Sequence, residues 1–169
     1  MAEKRVVLSI GLLASNRKDT IKKCLDSLQS IREVIPCQLI ITDTGCDADL
    51  RITLEQYADT INEFTWCTDF AKARNANLSQ AVGEWYLYLD DDEWFVDTEE
   101  LIDFFKSGAY KKFEGACYVQ HNYQNMEGTL YSDDYVSRMI RLTEDTHFVG
   151  KIHEYLVPVP QKNCLLNSW

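Results

Sequence analysis

The chain has 169 residues with 27 acidic and 17 basic side chains, a formal net charge of −10. That length is sufficient for one domain, and 46% hydrophobic with 12% aromatic residues excludes a disordered polymer. The acidic balance excludes a sequence-independent nucleic-acid binder, which needs a basic surface, and electrostatic docking on an anionic membrane; it leaves open an anionic ligand brought in with a divalent cation.

The predicted elements alternate between two patterns. Val6 to Leu13 is a nearly continuous apolar run, as expected of a strand covered on both faces. The polar loop Ser15-Asn16-Arg17-Lys18 follows, and then Ile21, Cys24, Leu25, Leu28 and Ile31 recur at helical spacing, with Asp19 as the expected cap. Gln38 to Thr42 is a second strand, ending in the turn-forming Asp43-Thr44-Gly45. Leu50, Leu54, Tyr57 and Ala58 mark a second helix, Ile61 to Phe64 a short third strand, and Ala71 to Ala81 a third helix. Trp85 to Leu89 is strongly β-prone and runs straight into Asp90-Asp91-Asp92-Glu93. A helix from Glu99 to Lys106 is expected next, with Asp97 and Glu100 spaced as a cap pair and Gly108 as a stop. Beyond it Ala116 to Tyr123, Tyr135 to Leu142 and Phe148 to Val157 all read as extended.

Alternating units of this length predict an α/β fold with a mostly parallel, Rossmann-like sheet between helical layers and a strand-rich C-terminal part. In such sheets ligands bind beyond the carboxyl ends of strands. That rule singles out Ser15-Asn16-Arg17, Asp43-Thr44-Gly45 and Asp90 to Glu93. The early apolar run is too short for a membrane span of ~20 residues. The six cysteines form no C-x-x-C pair, so reduced, packed thiols and a cytoplasmic location are expected.

The acidic run is the most informative feature. Alternate side chains on an extended backbone share a face, which predicts that Asp90 and Asp92 point together. Adjacent carboxylates at the end of a buried strand repel one another unless a cation is present. Hard oxygen ligands favour Mg²⁺ or Mn²⁺, and such ions commonly bridge one or two carboxylates to substrate phosphates. A solvated acidic turn is the competing reading; the apolar strand leading into it favours the metal. There is no G-x-G-x-x-G after a strand, no G-x-x-x-x-G-K-[ST] and no G-x-S-x-G, which removes the dinucleotide fingerprint, the P-loop and the hydrolase elbow.

The motifs together resemble family 2 glycosyltransferases of the GT-A fold, a three-layer α/β/α sandwich. The matching pieces, in order, are Leu8 to Arg17, Ile41 to Cys46, Ala73-Arg74-Asn75 and Leu89-Asp90-Asp91-Asp92. A bacterial branch of that family is nearer still, with a Trp, Asp-Phe, Ala-Arg-Asn, Leu-Asp-x-Asp-Glu, an Arg-rich strand and Ile-His-Glu. Here these stand as Trp66, Asp69-Phe70, Ala73 to Asn75, Leu89 to Glu93, Arg138 with Arg141, and Ile152-His153-Glu154. The resemblance covers Val6 to Val157.

The resemblance implies an inverting, metal-dependent transfer from a nucleotide-sugar donor, UDP- or GDP-linked, to an unidentified saccharide, lipid-linked glycan or peptide acceptor. The leaving diphosphate needs a cation, Mn²⁺ or Mg²⁺, and the acceptor needs a base. By position, Asp43 resembles the contact to base or ribose, and turn capping is its structural alternative. Asp90 resembles the contact to ribose and metal-bound water, and Asp92 the metal ligand. Asp91, in the variable position of the donor motif, reads as surface charge, and Glu93 as a support. Arg74 and Asn75 either touch the donor or lock the acidic loop. Ser15, Asn16 and Arg17 lie where the first loop meets the nucleotide, or simply enter a helix. Glu154 is the candidate base and Asp134 its rival, although Asp133-Asp134 also reads as a solvated loop. His153 is a candidate metal ligand or a packed histidine. Arg138 and Arg141 either neutralise diphosphate or pair with surface acids, Arg141 being placed in the donor site. Trp66, Trp85 and Trp94 are candidates for stacking on sugar or base, with core packing the commoner fate of Trp.

One domain over residues 1–169 is expected, with 1–95 as the nucleotide-binding half and 96–169 as a partial acceptor-side half, possibly truncated. A non-catalytic nucleotide- or sugar-binding domain is the alternative. A nucleotidyltransferase is disfavoured because Ser15 to Lys18 lacks the glycines of its phosphate loop.

Overall fold

The computed structural model describes residues 5–125 and 127–168. Strands β1 (Leu8–Ala14), β2 (Cys37–Asp43), β3 (Thr60–Glu63) and β4 (Trp85–Asp90) are parallel neighbours in the order β3-β2-β1-β4. Helices α1 (Lys18–Ser27), α2 (Gln29–Val34), α3 (Ala48–Glu55) and α4 (Phe70–Leu78) connect them. After α5 (Glu99–Lys106) the sheet grows by antiparallel pairing: β5 (Gly115–Tyr123) and β6 (Tyr131–Arg141) form a hairpin, and β6 lies against β4. A separate two-stranded hairpin joins β7 (His147–Val149) to β8 (Tyr155–Val157), and β9 (Asn163–Leu166) adds to the outer edge beside β5. The mostly parallel sheet with a strand-rich C-terminal part is the predicted architecture.

Every residue of β1 is buried, because helices cover both faces of this central strand. One face carries the larger core, in which Ile21, Leu25 and Ile31 of the first two helices and Leu101, Phe104 and Phe105 of α5 meet Leu8, Ile10, Trp85 and Leu87. The other face packs Ala71 of α4 and Phe148 and Leu156 of the small hairpin on Tyr86 and Tyr88. Beneath α4, buried Asn77 donates to Leu12 O, Ile40 O and Thr42 Oγ1 and accepts from Tyr86 Oη at 2.7 Å. A Cβ at Gly11 would collide with that Tyr86 hydroxyl and the Asn77 amide, so glycine admits the network at the sheet centre.

Several local expectations need correction. Asp19 does not cap α1; it lies in the first turn, and Arg17 holds the cap position without a side-chain bond. Asp97 and Glu100 form no capping box: Thr98 is the cap residue, Asp97 accepts from Glu99 N, and Glu100 binds Asn167 instead. Phe148 to Val157 is not one strand but a hairpin whose turn, residues 150–154, opens with Gly150 at φ +95°. Asp133 and Asp134 lie within β6 rather than in a loop. The six cysteines are free thiols.

Candidate active site

The carboxyl ends of β1 and β4 open into a cleft of about 790 Å³. Ser15, Arg17 and Thr44 line one side, Asp90, Asp91 and Asp92 the floor, and Arg138, Ile152, His153 and Glu154 the other side. Trp66 and Phe70 form an aromatic wall, packed edge to face at 4.8 Å and each more than a third exposed. Residues from six segments of the chain therefore converge where the topology rule for parallel sheets places a ligand.

Strand β4 ends at Asp90, and a tight turn follows, with Glu93 N donating to Asp90 O at 3.1 Å and Asp90 N to Glu93 Oε2 at 3.0 Å. The alternation expected to align Asp90 with Asp92 therefore stops at Asp90, yet all three aspartates reach the cleft. Asp91 is not surface charge. It is 5% exposed, and its Oδ2 accepts from both the amide and the hydroxyl of Ser15 at 2.7 Å. It thereby fastens the first loop to the acidic turn. Asp92 is exposed and pairs with Arg17.

Under this turn lies a buried ionic network. Arg74, 1% exposed, donates to Leu89 O at 2.9 Å and Glu154 Oε1 at 3.0 Å, and pairs with Asp90. Arg138 donates to Glu93 Oε1 at 2.6 Å and lies 3.5 Å from Asp90 Oδ2. Both guanidinium groups stack on the Tyr88 ring, at 5.0 and 4.8 Å. Burial pushes the Glu93 carboxyl above its ordinary range, with Arg138 opposing. Burial also opposes the Arg138 charge, but Glu93, Tyr118, Asp90 and Tyr88 together outweigh it and hold the guanidinium more basic than usual. Arg74 is too deeply buried to touch a ligand and acts on the cleft through Asp90 and Glu154.

The other expected site residues separate. Asn75 binds the backbone of Phe148 in both directions, at 2.9 and 2.8 Å; it locks the small hairpin onto α4 and does not line the cleft. Asn16 accepts from Asp47 N at 3.4 Å and ties two loops together. Asp43 is 9% exposed, and its oxygens accept from the amides of Gly45 and Cys46 and from Arg51. Burial raises its pKa, but the Cys46 and Gly45 amides and Arg51 outweigh this, and the carboxyl titrates below its ordinary range. Asp43 thus shapes the loop whose Thr44 faces the cleft. Trp85 is core, while Trp94 carries Lys23 over its ring at 3.6 Å.

Arg141 requires a clear correction. It pairs in register with Trp85, at the opposite end of β4 from the acids, and donates to Tyr110 O. Five residues of strand put it about 17 Å from Asp90. The register of β5 against β6 shifts at Ala116/Cys117, so that Met139 and Ser137 have partners and Arg138 is the extra residue. Such a bulge re-aims a side chain, and it is Arg138 that reaches the cleft. Asp134 is also corrected. It accepts from Asn122 at 3.0 Å on the exposed hairpin and lies outside the cleft. Sequence reasoning passed over Tyr88, Ser137 and Phe70 as site residues. Tyr88 carried a signal, since it stands two residues before Asp90 on the same strand face.

His153 has φ +56°, a left-handed backbone that side chains uncommonly adopt. Among the described residues no group of three His, Cys, Asp or Glu gathers closely enough to hold an ion alone. The donor set suits an ion shared with a ligand: Asp92 and His153 face the same cleft, and Mg²⁺ and its relatives take one or two carboxylates with the rest of their shell from phosphate and water. A second cavity of about 370 Å³ meets the cleft at Asp92 and runs along β5, lined by Trp94, Gln120, Asn122 and Tyr123 among others.

Residues 9–153 match the family described as Glycosyl transferase family 2. The chain belongs to that family. The SPbeta prophage-derived glycosyltransferase SunS of Bacillus subtilis (strain 168) is 29% identical over 154 residues, 87% of this chain. The chain spans 34% of that relative's length. The structure of S. aureus TarS 1–349 in complex with UDP-GlcNAc superposes with a TM-score of 0.59 at 19% identity, over 71% of this chain and 36% of that one. The mannosyltransferase PcManGT from Pyrobaculum calidifontis, in complex with GDP-Man and Mn²⁺, gives a TM-score of 0.54 at 19% identity, over 69% of this chain and 36% of that one. The fold is therefore that of the GT-A glycosyltransferases. No helix among the described residues is long and apolar enough to cross a membrane.

Proposed function

We propose that this domain transfers a sugar from a nucleotide-sugar donor to an acceptor, with inversion and with a divalent cation. The observation that carries the reading is the convergence of Ser15, Arg17, Asp90, Asp92, His153 and Glu154 on one cleft at the carboxyl ends of parallel strands. Family membership supports the activity class, and similar folds hold UDP-GlcNAc or GDP-Man with Mn²⁺. The nucleoside lies toward Thr44, on the loop that Asp43 shapes, and the diphosphate lies toward Arg17 and Asp92. Asp92 and His153 are the protein's ligands to Mn²⁺ or Mg²⁺; the bound ion supplies charge stabilisation to the departing diphosphate.

Glu154 is the base that takes the acceptor's proton. Arg74 orients it by holding Oε1 at 3.0 Å, the arrangement in which a base is aimed by a third group. The same Arg74 holds Asp90, so base and donor-binding turn are set by one buried guanidinium. The acceptor occupies the second cavity, whose aromatic rings and amides suit a polar, partly apolar ligand.

A thermal-shift screen of UDP- and GDP-sugars with Mn²⁺ tests the reading. Ligand at about 100 times its Kd adds ~2.7 kcal/mol, or roughly 5–10 °C for a domain of this size. No shift with any nucleoside diphosphate plus metal would sink the donor site. Glu154→Gln separates enzyme from binding module: donor binding persists, and transfer to the acceptor is lost by about 100-fold or more. Unchanged transfer in that variant removes Glu154 as the base.

A further inference from the structure

We propose that Arg17 is the internal counter-cation of the cleft: it neutralises Asp92 in the empty state and turns to the diphosphate when a divalent cation takes Asp92. This rests on the donor-site reading above. The acids of the cleft are neutralised unequally. Asp90, Glu93 and Glu154 are paired by Arg74 and Arg138, whose side chains are 1% and 17% exposed. Asp91 is held by the Ser15 amide and hydroxyl. Asp92 pairs with Arg17, whose side chain is 55% exposed and whose Nε also lies 3.6 Å from Asp91.

Asp92 is therefore the carboxylate whose partner can leave at least cost. An ion pair between groups this exposed changes an equilibrium by no more than roughly fivefold. The Arg17 backbone stays fixed meanwhile, because its carbonyl accepts from Ile21 N at 3.2 Å and opens α1. Only the side chain moves. A divalent ion and a guanidinium compete for the same oxygens. When the ion arrives with an anionic diphosphate, the freed guanidinium, whose donors form a planar fork suited to phosphate, lies on the cleft wall beside it. The exchange avoids an uncompensated carboxylate in the empty cleft and an uncompensated guanidinium in the filled one.

The test is a pair of titrations on wild type, Arg17→Ala and Arg17→Lys. Free Mn²⁺ is followed by electron paramagnetic resonance without nucleotide, and UDP binding is then measured in saturating Mn²⁺. Arg17→Ala should bind Mn²⁺ alone about 2–5-fold more tightly, because a competing positive charge is gone. It should bind UDP with Mn²⁺ roughly 10-fold more weakly. Arg17→Lys should stay near wild type for Mn²⁺ alone and fall between the two for UDP. A role confined to folding or helix entry would not move the two affinities in opposite directions. Unchanged or weaker Mn²⁺ binding by Arg17→Ala, or unchanged UDP binding, overturns the exchange. If wild type nevertheless binds UDP and Mn²⁺ through Asp92, the donor site stands without it. If neither wild type nor Arg17→Ala binds Mn²⁺ without nucleotide, the exchange falls; if neither binds UDP in saturating Mn²⁺, the donor site falls with it.

Discussion

Replacing Arg74 with Met keeps most of the side-chain volume and removes the guanidinium. Arg74 is 1% exposed and holds Leu89 O, Asp90 and Glu154. Its loss leaves Glu154 without that partner and Asp90 with Arg138 at 3.5 Å. Removing one partner of a buried pair costs about 3–5 kcal/mol, and the Leu89 carbonyl adds part of the ~1–3 kcal/mol of an unsatisfied buried group. Because Asp90 keeps a neighbour, the total should lie near ~4 kcal/mol, a large share of the ~5–15 kcal/mol by which domains are stable. Urea denaturation followed by tryptophan fluorescence measures it. Adding Glu154→Leu to Arg74→Met removes the stranded carboxylate, so the double variant should be more stable than the two single losses sum to, by about 1–3 kcal/mol. A loss under ~0.5 kcal/mol for Arg74→Met, or strict additivity, would refute the claim that this one guanidinium sets both Asp90 and Glu154.

Three further outcomes are expected. Gly11→Ala should destabilise the fold by about 1–3 kcal/mol, since the added Cβ meets the Tyr86–Asn77 pair; a neutral effect by thermal melting would show that the pair can shift. Asp43 has a lowered folded-state pKa, so its stabilisation is fully present above the ordinary aspartate value of 3.8 and is lost as pH falls through the folded-state value. Asp43→Asn should therefore be less stable than wild type at pH 7 and indistinguishable from it at strongly acid pH; a deficit that persists in acid argues against the ionic contribution. In thiol labelling of the native protein, exposed Cys67 should react first, whereas Cys24 is buried with its thiol pushed up and should react on unfolding. Equal labelling rates would contradict the packing around α1.

The parallel half of the fold was legible because β1, β2 and β4 are short apolar runs that each end in polar residues, because α1 keeps helical spacing, and because α4 is rich in helix-forming residues. The acidic turn was legible for the same reason, standing where a buried strand stops. What was not legible depends on pairing between distant segments. Arg138 and Arg141 look alike in sequence, and only the bulge in β6 and its antiparallel register on β4 decide that Arg138 reaches the acids. Asp91 became a buried clamp because β1 ends beside β4 and presents Ser15 to it. Asp134 lost its place because β6 extends to Tyr131 and carries it out along the hairpin. Asn75 looked like a donor contact because it neighbours Arg74, but one step along a helix turns a side chain by about 100°, here toward Phe148.

The most direct measurement of the central claim is a crystal structure grown with Mn²⁺ and UDP, with the ion located by its anomalous signal. One Mn²⁺ peak is expected, bonded to Asp92 and to diphosphate oxygens in the cleft between Arg17 and His153, with the nucleoside toward Thr44. A peak or a nucleotide anywhere else on the domain, with this cleft unchanged, would contradict it.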